Sequence, residues 1–349
     1  MFTLRRRRTL ACLVLAGAAI SSTAALAGGG AAAQAAARAS APSVAVARAL
    51  SYLHRHQTKA GGFRVSSTAE QTPMTPWCVL AIAAAGYSPT SWHVAGGRSP
   101  IAYLQSVDLE RYATSMSGSA ANGPAFYAKV ILAYSAARQT ALIGRAGSKR
   151  IDLVAKLLKY RDSSSGRFTP RLHGAGNAAA VNTTTWAIFA LKAAGRAATA
   201  RAKAVAWLKT QAAGSGGFSW TPGGAVDVDS TATAVQALRA GGVSSSAGVV
   251  RRALSYLRTQ QRAGGGFVSG FAGSTNTEST ALAIQAIIAA GGHPSSASWR
   301  KGGKSPLDYI RAHQAASGLI YHLGHIAGDA PLMTSAQAVI ALCGEPFPF

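Results

Sequence analysis

ALSYLRTQQRAGGGFVSGFAGSTNTESTALAIQAIIAAGG, residues 253–292, holds the plan of the whole chain. Around its start, apolar side chains fall at Val250, Ala253, Leu254 and Leu257, with Arg251, Arg252, Ser255 and Arg258 between them. That spacing follows the turn of an α-helix with one buried stripe and one wet face. Gly264, Gly265 and Gly266 end the helix, because glycine accepts the left-handed backbone of a C-terminal cap without strain. Phe267 then returns to the apolar interior. Thr277 or Ser279 is placed to cap a second helix over residues 280–290, which is apolar on almost every side and must be covered all round. Such a hairpin cannot bury its own surface, so copies are expected to stack.

The copies are there. Residues 204–242 contain WLKTQAAGSGGF and DVDSTATAVQALRAGG; residues 50–86 contain YLHRHQTKAGGF and PWCVLAIAAAG. Residues 154–195 contain LLKYRDSSSGRF and NTTTWAIFALKAAG; residues 307–344 contain YIRAHQAASGLI and MTSAQAVIALCG. A sixth, degenerate copy at residues 101–137 keeps AYLQSV and FYAKVILAYSAA but lacks the glycine-phenylalanine hinge. The anchors Phe168, Phe218, Phe267 and Ile320 recur at about fifty residues, and Phe63 lies two periods before Phe168. A second duplication pairs SWHVAGGRSPIAYL (91–104) with SWRKGGKSPLDYI (298–310). In it Ser99 and Ser305 read as helix caps, with Pro100 and Pro306 at the first helical position.

Residues 1–27 read as an export signal: a basic run at 5–8, an apolar stretch at 10–20, and the small-x-small site Ala25-Leu26-Ala27. An Ala/Gly/Ser-rich leader follows over 28–43, then one domain over 44–349, expected to act outside the cytoplasm as a monomer. Of the formal charge of +24, four units belong to residues 5–8, leaving +20. Such a balance favours anionic envelope surfaces, although a solvated outer ring of arginines explains it as well. The basic residues are scattered and only 7% of the chain is aromatic, which argues against specific nucleic-acid binding. Beyond the export signal the cysteines are Cys78 and Cys343, in the second helices of the first and last copies. Their register differs by six residues, roughly 9 Å along parallel helices, so free thiols are favoured over a bridge.

The QxxxGGF-type hinge, as in residues 211–218 and 260–267 with one extra residue each, closely resembles the repeat of squalene cyclases and protein prenyltransferase β-subunits. Cobalamin carriers related to intrinsic factor share it. The resemblance covers residues 44–344 and implies an all-α fold, an α/α toroid (α6/α6 barrel) of six helix-hairpin repeats around a central cavity. It also implies that a helix-ending glutamine bonds to a neighbouring repeat's backbone, a role for Gln57, Gln105, Gln211, Gln260 and Gln314. Fold alone does not give function.

The activities on this fold leave separate marks. Class II cyclases protonate an isoprenoid alkene from the middle aspartate of DxDDTA. This chain has Asp227-Val228-Asp229-Ser230-Thr231-Ala232, with serine in place of the last aspartate. Asp229 would be the acid, held protonated by burial near Asp227. Helix capping is the competing account of both. Those cyclases also use a second domain and an aromatic-rich cavity, and this chain is too short for the first. Protein prenyltransferases hold zinc with Asp, Cys and His, and no aspartate-x-cysteine pair occurs here. The 342–346 segment lacks the glutamine of a thioester, and the cobalamin carriers' additional β-domain has no counterpart. No cofactor is implied. His322, His325 and Asp329 form a cluster outside the repeat that could hold a metal, but loop spacing fixes no geometry and surface histidines are the plainer reading. The expectation is therefore an exported binding module for an apolar or amphipathic, isoprenoid-like molecule or an envelope partner. Trp186, Trp220, Gln236 and Gln285 are its candidate contacts. The alternative is a terpene-cyclase-like enzyme using Asp229.

Overall fold

The structure is a computed structural model and describes residues 43–67, 71–115, 123–270 and 273–349. The export signal and nearly all of the leader lie outside the described residues. Thirteen α-helices are described: α1 (Val44–Arg55), α2 (Thr75–Ala84), α3 (Pro100–Ser106), α4 (Leu109–Ser115), α5 (Gly123–Ala136), α6 (Leu153–Leu158), α7 (Ala180–Ala193), α8 (Ala198–Lys209), α9 (Val228–Ala240), α10 (Gly248–Gln260), α11 (Thr277–Ala289), α12 (Pro306–Ala312) and α13 (Pro331–Leu342).

Two kinds of helix alternate, as the apolar patterning requires. α10 buries only the stripe Val250, Ala253 and Leu257, whereas α11 buries ten consecutive or near-consecutive side chains from Thr277 to Ile287. The all-round apolar helices α2, α5, α7, α9, α11 and α13 pack each against the next, and α13 packs back on α2. They form a closed inner ring. The amphipathic helices cover it from outside, as α1 does over α2 and α13, and α10 over α9 and α11. The α/α toroid expected from the repeats is the fold observed.

Each hinge is tied to its inner helix by one repeated bond. The backbone N–H of the buried anchor donates to a hydroxyl in the helix's first turn: Phe63 to Thr75 (3.2 Å), Phe168 to Thr184 (2.8 Å), Phe218 to Thr231 (2.8 Å), Phe267 to Thr280 (3.0 Å) and Ile320 to Ser335 (3.1 Å). A buried amide without a partner would cost about 1–3 kcal/mol, so the hydroxyl is what allows the anchor to go inside. Caps sit where the serines predicted them: Ser99 accepts from the Ala102 amide (3.2 Å), and Ser305 shares a reciprocal capping box with Asp308. At α11 the cap is Asn276, accepting from Ser279 (2.8 Å), rather than Thr277 or Ser279. Asn276 ends a short strand paired with the anchor, β5 (Phe267–Val268) with β6 (Thr275–Asn276). The same ladder joins β3 (Phe218–Ser219) to β4 (Val226–Asp227), while β1 (Ile143–Ala146) and β2 (Lys149–Asp152) link α5 to α6.

The hinge glycines are where one repeat docks on the next. Gly265 has φ +85°, and a Cβ there would stand 2.4 Å from the Ser305 carbonyl oxygen. Gly318, at φ +89°, does the same to Arg48 at 2.1 Å, and so brings the last repeat onto the first. Gln314 completes that closure by donating to the Ala45 carbonyl (2.8 Å). Gln57 donates to the Arg98 carbonyl (3.4 Å) in the same way. In the fifth repeat the role falls not to Gln260 but to Gln261, which donates to the Trp299 carbonyl (2.8 Å). The reason is register: Gln57, Gln261 and Gln314 each bridge to an anchor six residues on, while Gln260 is seven away. Gln260, Gln211 and Gln105 bond instead to Thr259, Thr210 and Gln139. Cys78 and Cys343 are both free thiols.

Candidate functional site

The repeated hydroxyl also fixes which face of each inner helix looks into the ring. Counting from Thr75, Thr184, Thr231, Thr280 and Ser335, the positions two before, two after and five after fall at i, i+4 and i+7, one helical face. At the first level, by the hinges, stand Asn182, Asp229, Glu278 and Met333. About 6 Å deeper are Trp77, Trp186, Thr233, Leu282 and Gln337, and about 4.5 Å beyond those Leu80, Phe189, Gln236, Gln285 and Ile340. Exposure sorts the levels. The middle five keep 4–7% of their surface accessible, while the deepest five keep at most 1%. Solvent access along this face therefore falls from the hinge end inward.

The 345–349 segment meets the deepest level. Phe347 lies 5.6 Å from Trp186 and from Phe189, 6.2 Å from Trp77 and 5.8 Å from Phe349, ring centre to ring centre. Its amide donates to Gln236 Oε1 (3.1 Å), and Gln285 Nε2 donates to the Glu345 carbonyl (3.0 Å). The glutamines named from the sequence thus hold the chain's own backbone. Trp186 lies on the lumen face, edge-on to Trp77 at 5.5 Å. Trp220 does not: it stands one residue past β3 in the hinge turn, and 38% of it is exposed.

Between the two tryptophans sits a residue that sequence reasoning passed over. Lys129 is the one charge in α5, whose neighbours from Gly123 to Tyr134 are otherwise nearly all buried. Its ammonium lies 4.7 Å over the Trp186 ring and 5.4 Å over the Trp77 ring. Among the described residues it makes no hydrogen bond or ion pair, and burial pushes it down to about 8 from an ordinary value above 10. A lone charge in an all-apolar helix was the available signal.

The acidic side of the mouth is built on α9 and α11. Asp227 caps α9, accepting from the Ser230 amide and hydroxyl (both 2.7 Å), so the capping account holds for it. Asp229 caps nothing. Its Oδ1 is wholly shielded and has no hydrogen-bond partner, and burial raises the carboxyl to about 6. The Ser279 hydroxyl offsets part of that rise, though it completes no hydrogen bond of good geometry; Asp227 and Glu278 add to the rise by repulsion. Glu278, the matching residue of the next repeat, accepts from Thr334 Oγ1 and lies 2.7 Å from His322 Nδ1. His322 is thus taken by a carboxylate across the hinge, while His325 and Asp329 are exposed on the loop and do not join it. Among the described residues no three His, Cys, Asp or Glu side chains converge on a metal position. The hollow formed by Arg55, Gln57, Arg64 and Val65 is an outer crease and touches none of the lumen faces.

Known proteins place this geometry. A type II terpene cyclase from Scytonema, MstE, in a variant complexed with geranylgeranyl dihydroxybenzoate, is 11% identical with a TM-score of 0.59; the likeness covers 89% of this chain and 98% of that one. A protein described as a glycosidase is 15% identical with a TM-score of 0.53, over 85% and 95%. An ent-copalyl diphosphate synthase from Streptomyces platensis is 21% identical with a TM-score of 0.50, over 78% of this chain but only 50% of its own. The chain thus spans half the length of that synthase, and identities at this level report the fold alone. No curated protein matches in sequence. The sequence pattern of the prenyltransferase alpha-alpha toroid domain matches residues 39–296. With that match over most of its length and the closed ring of paired helices, the chain belongs to the prenyltransferase alpha-alpha toroid family.

Proposed function

We propose that the protein is a non-catalytic binding module for an amphipathic small molecule, whose anionic group pairs with Lys129 and whose apolar part lies against Trp77, Trp186 and Leu282. The observation that carries this is the unpaired ammonium on the faces of two buried tryptophans. Lys129 is half-buried, and its apolar surroundings disfavour the charged form until an opposite charge joins it, so an anionic ligand gains from the pairing.

The second reading, proton-initiated cyclisation from Asp229, has its own support. One oxygen of the carboxyl, Oδ1, is shielded and lacks a partner, and burial raises the group to about 6, which suits an acid. Lys129 weighs against it. Carbocation chemistry uses the faces of aromatic rings, and here they already hold a cation. At about 5 Å and an effective dielectric near 20, that ammonium repels a developing positive charge by roughly 3 kcal/mol. Deprotonated, it would be a nucleophile that captures the cation.

We further place the protein outside the cytoplasm, as a monomer beside anionic envelope polymers, on the strength of residues 1–27 and the remaining charge of +20. Among the described residues no helix is long and apolar enough to cross a membrane. Mass spectrometry of protein from the culture medium should find a chain beginning at Gly28. The two functional readings separate by incubation with linear isoprenoids. Saturable binding without turnover supports the module, whereas product formed by the unaltered protein and lost in Asp229→Asn supports the enzyme.

A further inference from the structure

Resting on the binding reading, we infer that Lys129 also captures carbonyl groups: an apolar aldehyde seated against Trp77 and Trp186 condenses with its Nζ to form an imine. The Nζ lone pair attacks the carbonyl carbon, and the carbonyl oxygen then leaves as water with both amine protons, so no oxidant or reductant is consumed. Lysine suits this step because its amine is a nucleophile once the proton is lost. The chain has ten lysines, and Lys129 stands apart from the rest. Eight are exposed, and the ninth, Lys156, is paired with Glu110. Lys129 alone is neither exposed nor paired.

The setting favours both the attack and its product. The charged residues on the helices packed against α5 are Glu110 and Arg111 of α4, Lys156 of α6 and Lys192 of α7, and none of them pairs with Lys129; α2 carries none. Burial therefore acts on the amine without an opposing carboxylate and pushes it down to about 8. At pH 7.5 about a quarter of it is then neutral, against about one part in a thousand for an ordinary lysine. Lys129 is half-buried rather than sealed, so the amine is within reach of a ligand. The tryptophans serve the product. A protonated imine is a cation like the ammonium, and it inherits the ring faces that lie 4.7 Å and 5.4 Å from Nζ.

The test incubates the full chain with farnesal, a neutral isoprenoid aldehyde, at pH 7.5. Cyanoborohydride fixes any imine, its hydride turning the C=N bond into a stable secondary amine, and peptide mass spectrometry locates the adduct. Lys129 should carry at least tenfold more label than any other amine, and farnesyl phosphate added first should suppress that label along its own binding curve. Lys129→Arg, checked for folding by circular dichroism, keeps a positive charge but has no amine to condense, and should show no label in the α5 peptide. Label spread evenly over the lysines, in a chain that binds farnesyl phosphate saturably by calorimetry, overturns the inference and leaves the binding reading standing. Selective label at Lys129 without saturable phosphate binding upholds the capture and removes the anion from the binding reading. Neither label at Lys129 nor phosphate binding brings both down.

Discussion

The two sides of the lumen share one fold and one register, yet their chemistry is opposite. On the α2–α5–α7 side the levels read Asn182, Trp77, Trp186, Leu80 and Phe189, with Lys129 of α5 over the tryptophans; on the α9–α11 side they read Asp229, Glu278, Thr233, Leu282, Gln236 and Gln285. Repetition fixes where side chains point, and each copy is then free to change what it presents. The result is an inner face with an aromatic, cationic side and an acidic, amide-bearing side, an asymmetry that the proposed amphipathic ligand would use.

The contrast can be broken most forcefully at the middle level. Trp186→Ala removes a buried ring that touches Trp77, Phe189 and Phe347, and should cost about 3–5 kcal/mol by chemical denaturation. Thr233→Ala, at the same depth on the other wall, should cost about 1 kcal/mol. Equal losses would mean that the aromatic wall is not the structural centre of the lumen.

Next in size are two opposed pH slopes. Asp229 is raised from the ordinary carboxylate range to about 6, so the folded state holds its proton more tightly than the unfolded chain. The contribution of Asp229 to stability is then full below about pH 4 and is lost as pH rises to about 6, by at most about 3 kcal/mol. Asp229→Asn should reduce the fall, the buried and likewise raised Asp227 keeping the remainder, and leave the protein more stable at neutral pH. Lys129 is lowered to about 8, so the unfolded chain binds more protons between about pH 8 and 10.5 and stability should rise across that window. Lys129→Met should flatten that rise. Melting temperatures over the two ranges decide both, and slopes of the same sign would remove the electrostatic contrast. The smallest effect concerns the amide wall: Gln236→Leu leaves the Phe347 N–H unpaired and should lower stability by about 1–2 kcal/mol.

The fold was legible because its signal repeats: five hinges with a buried anchor leave little doubt about a hairpin array, and the SP-capped duplications at Ser99 and Ser305 formed as read. What the repeat did not show was phase. Inner helices such as α7 and α11 are apolar all round, so no stripe marks their lumen face; the face emerges only from the hydroxyl that receives the anchor amide. The choice of Gln261 over Gln260 turned on the same one-residue register. Lys129 escaped notice because its copy has lost the hinge that would have aligned it. Phe347 did because its partners, Trp77, Trp186 and Gln236, are far away in sequence and meet it only once the ring has closed.

The central claim, that the lumen reads an anion with Lys129, is tested most directly by calorimetric titration of farnesyl phosphate and farnesol into the full chain and into Lys129→Met at neutral pH. The phosphate should bind the unaltered protein at least tenfold more tightly than the alcohol, and lose that advantage in Lys129→Met. Equal affinity for both molecules, or an advantage that survives the substitution, would contradict it.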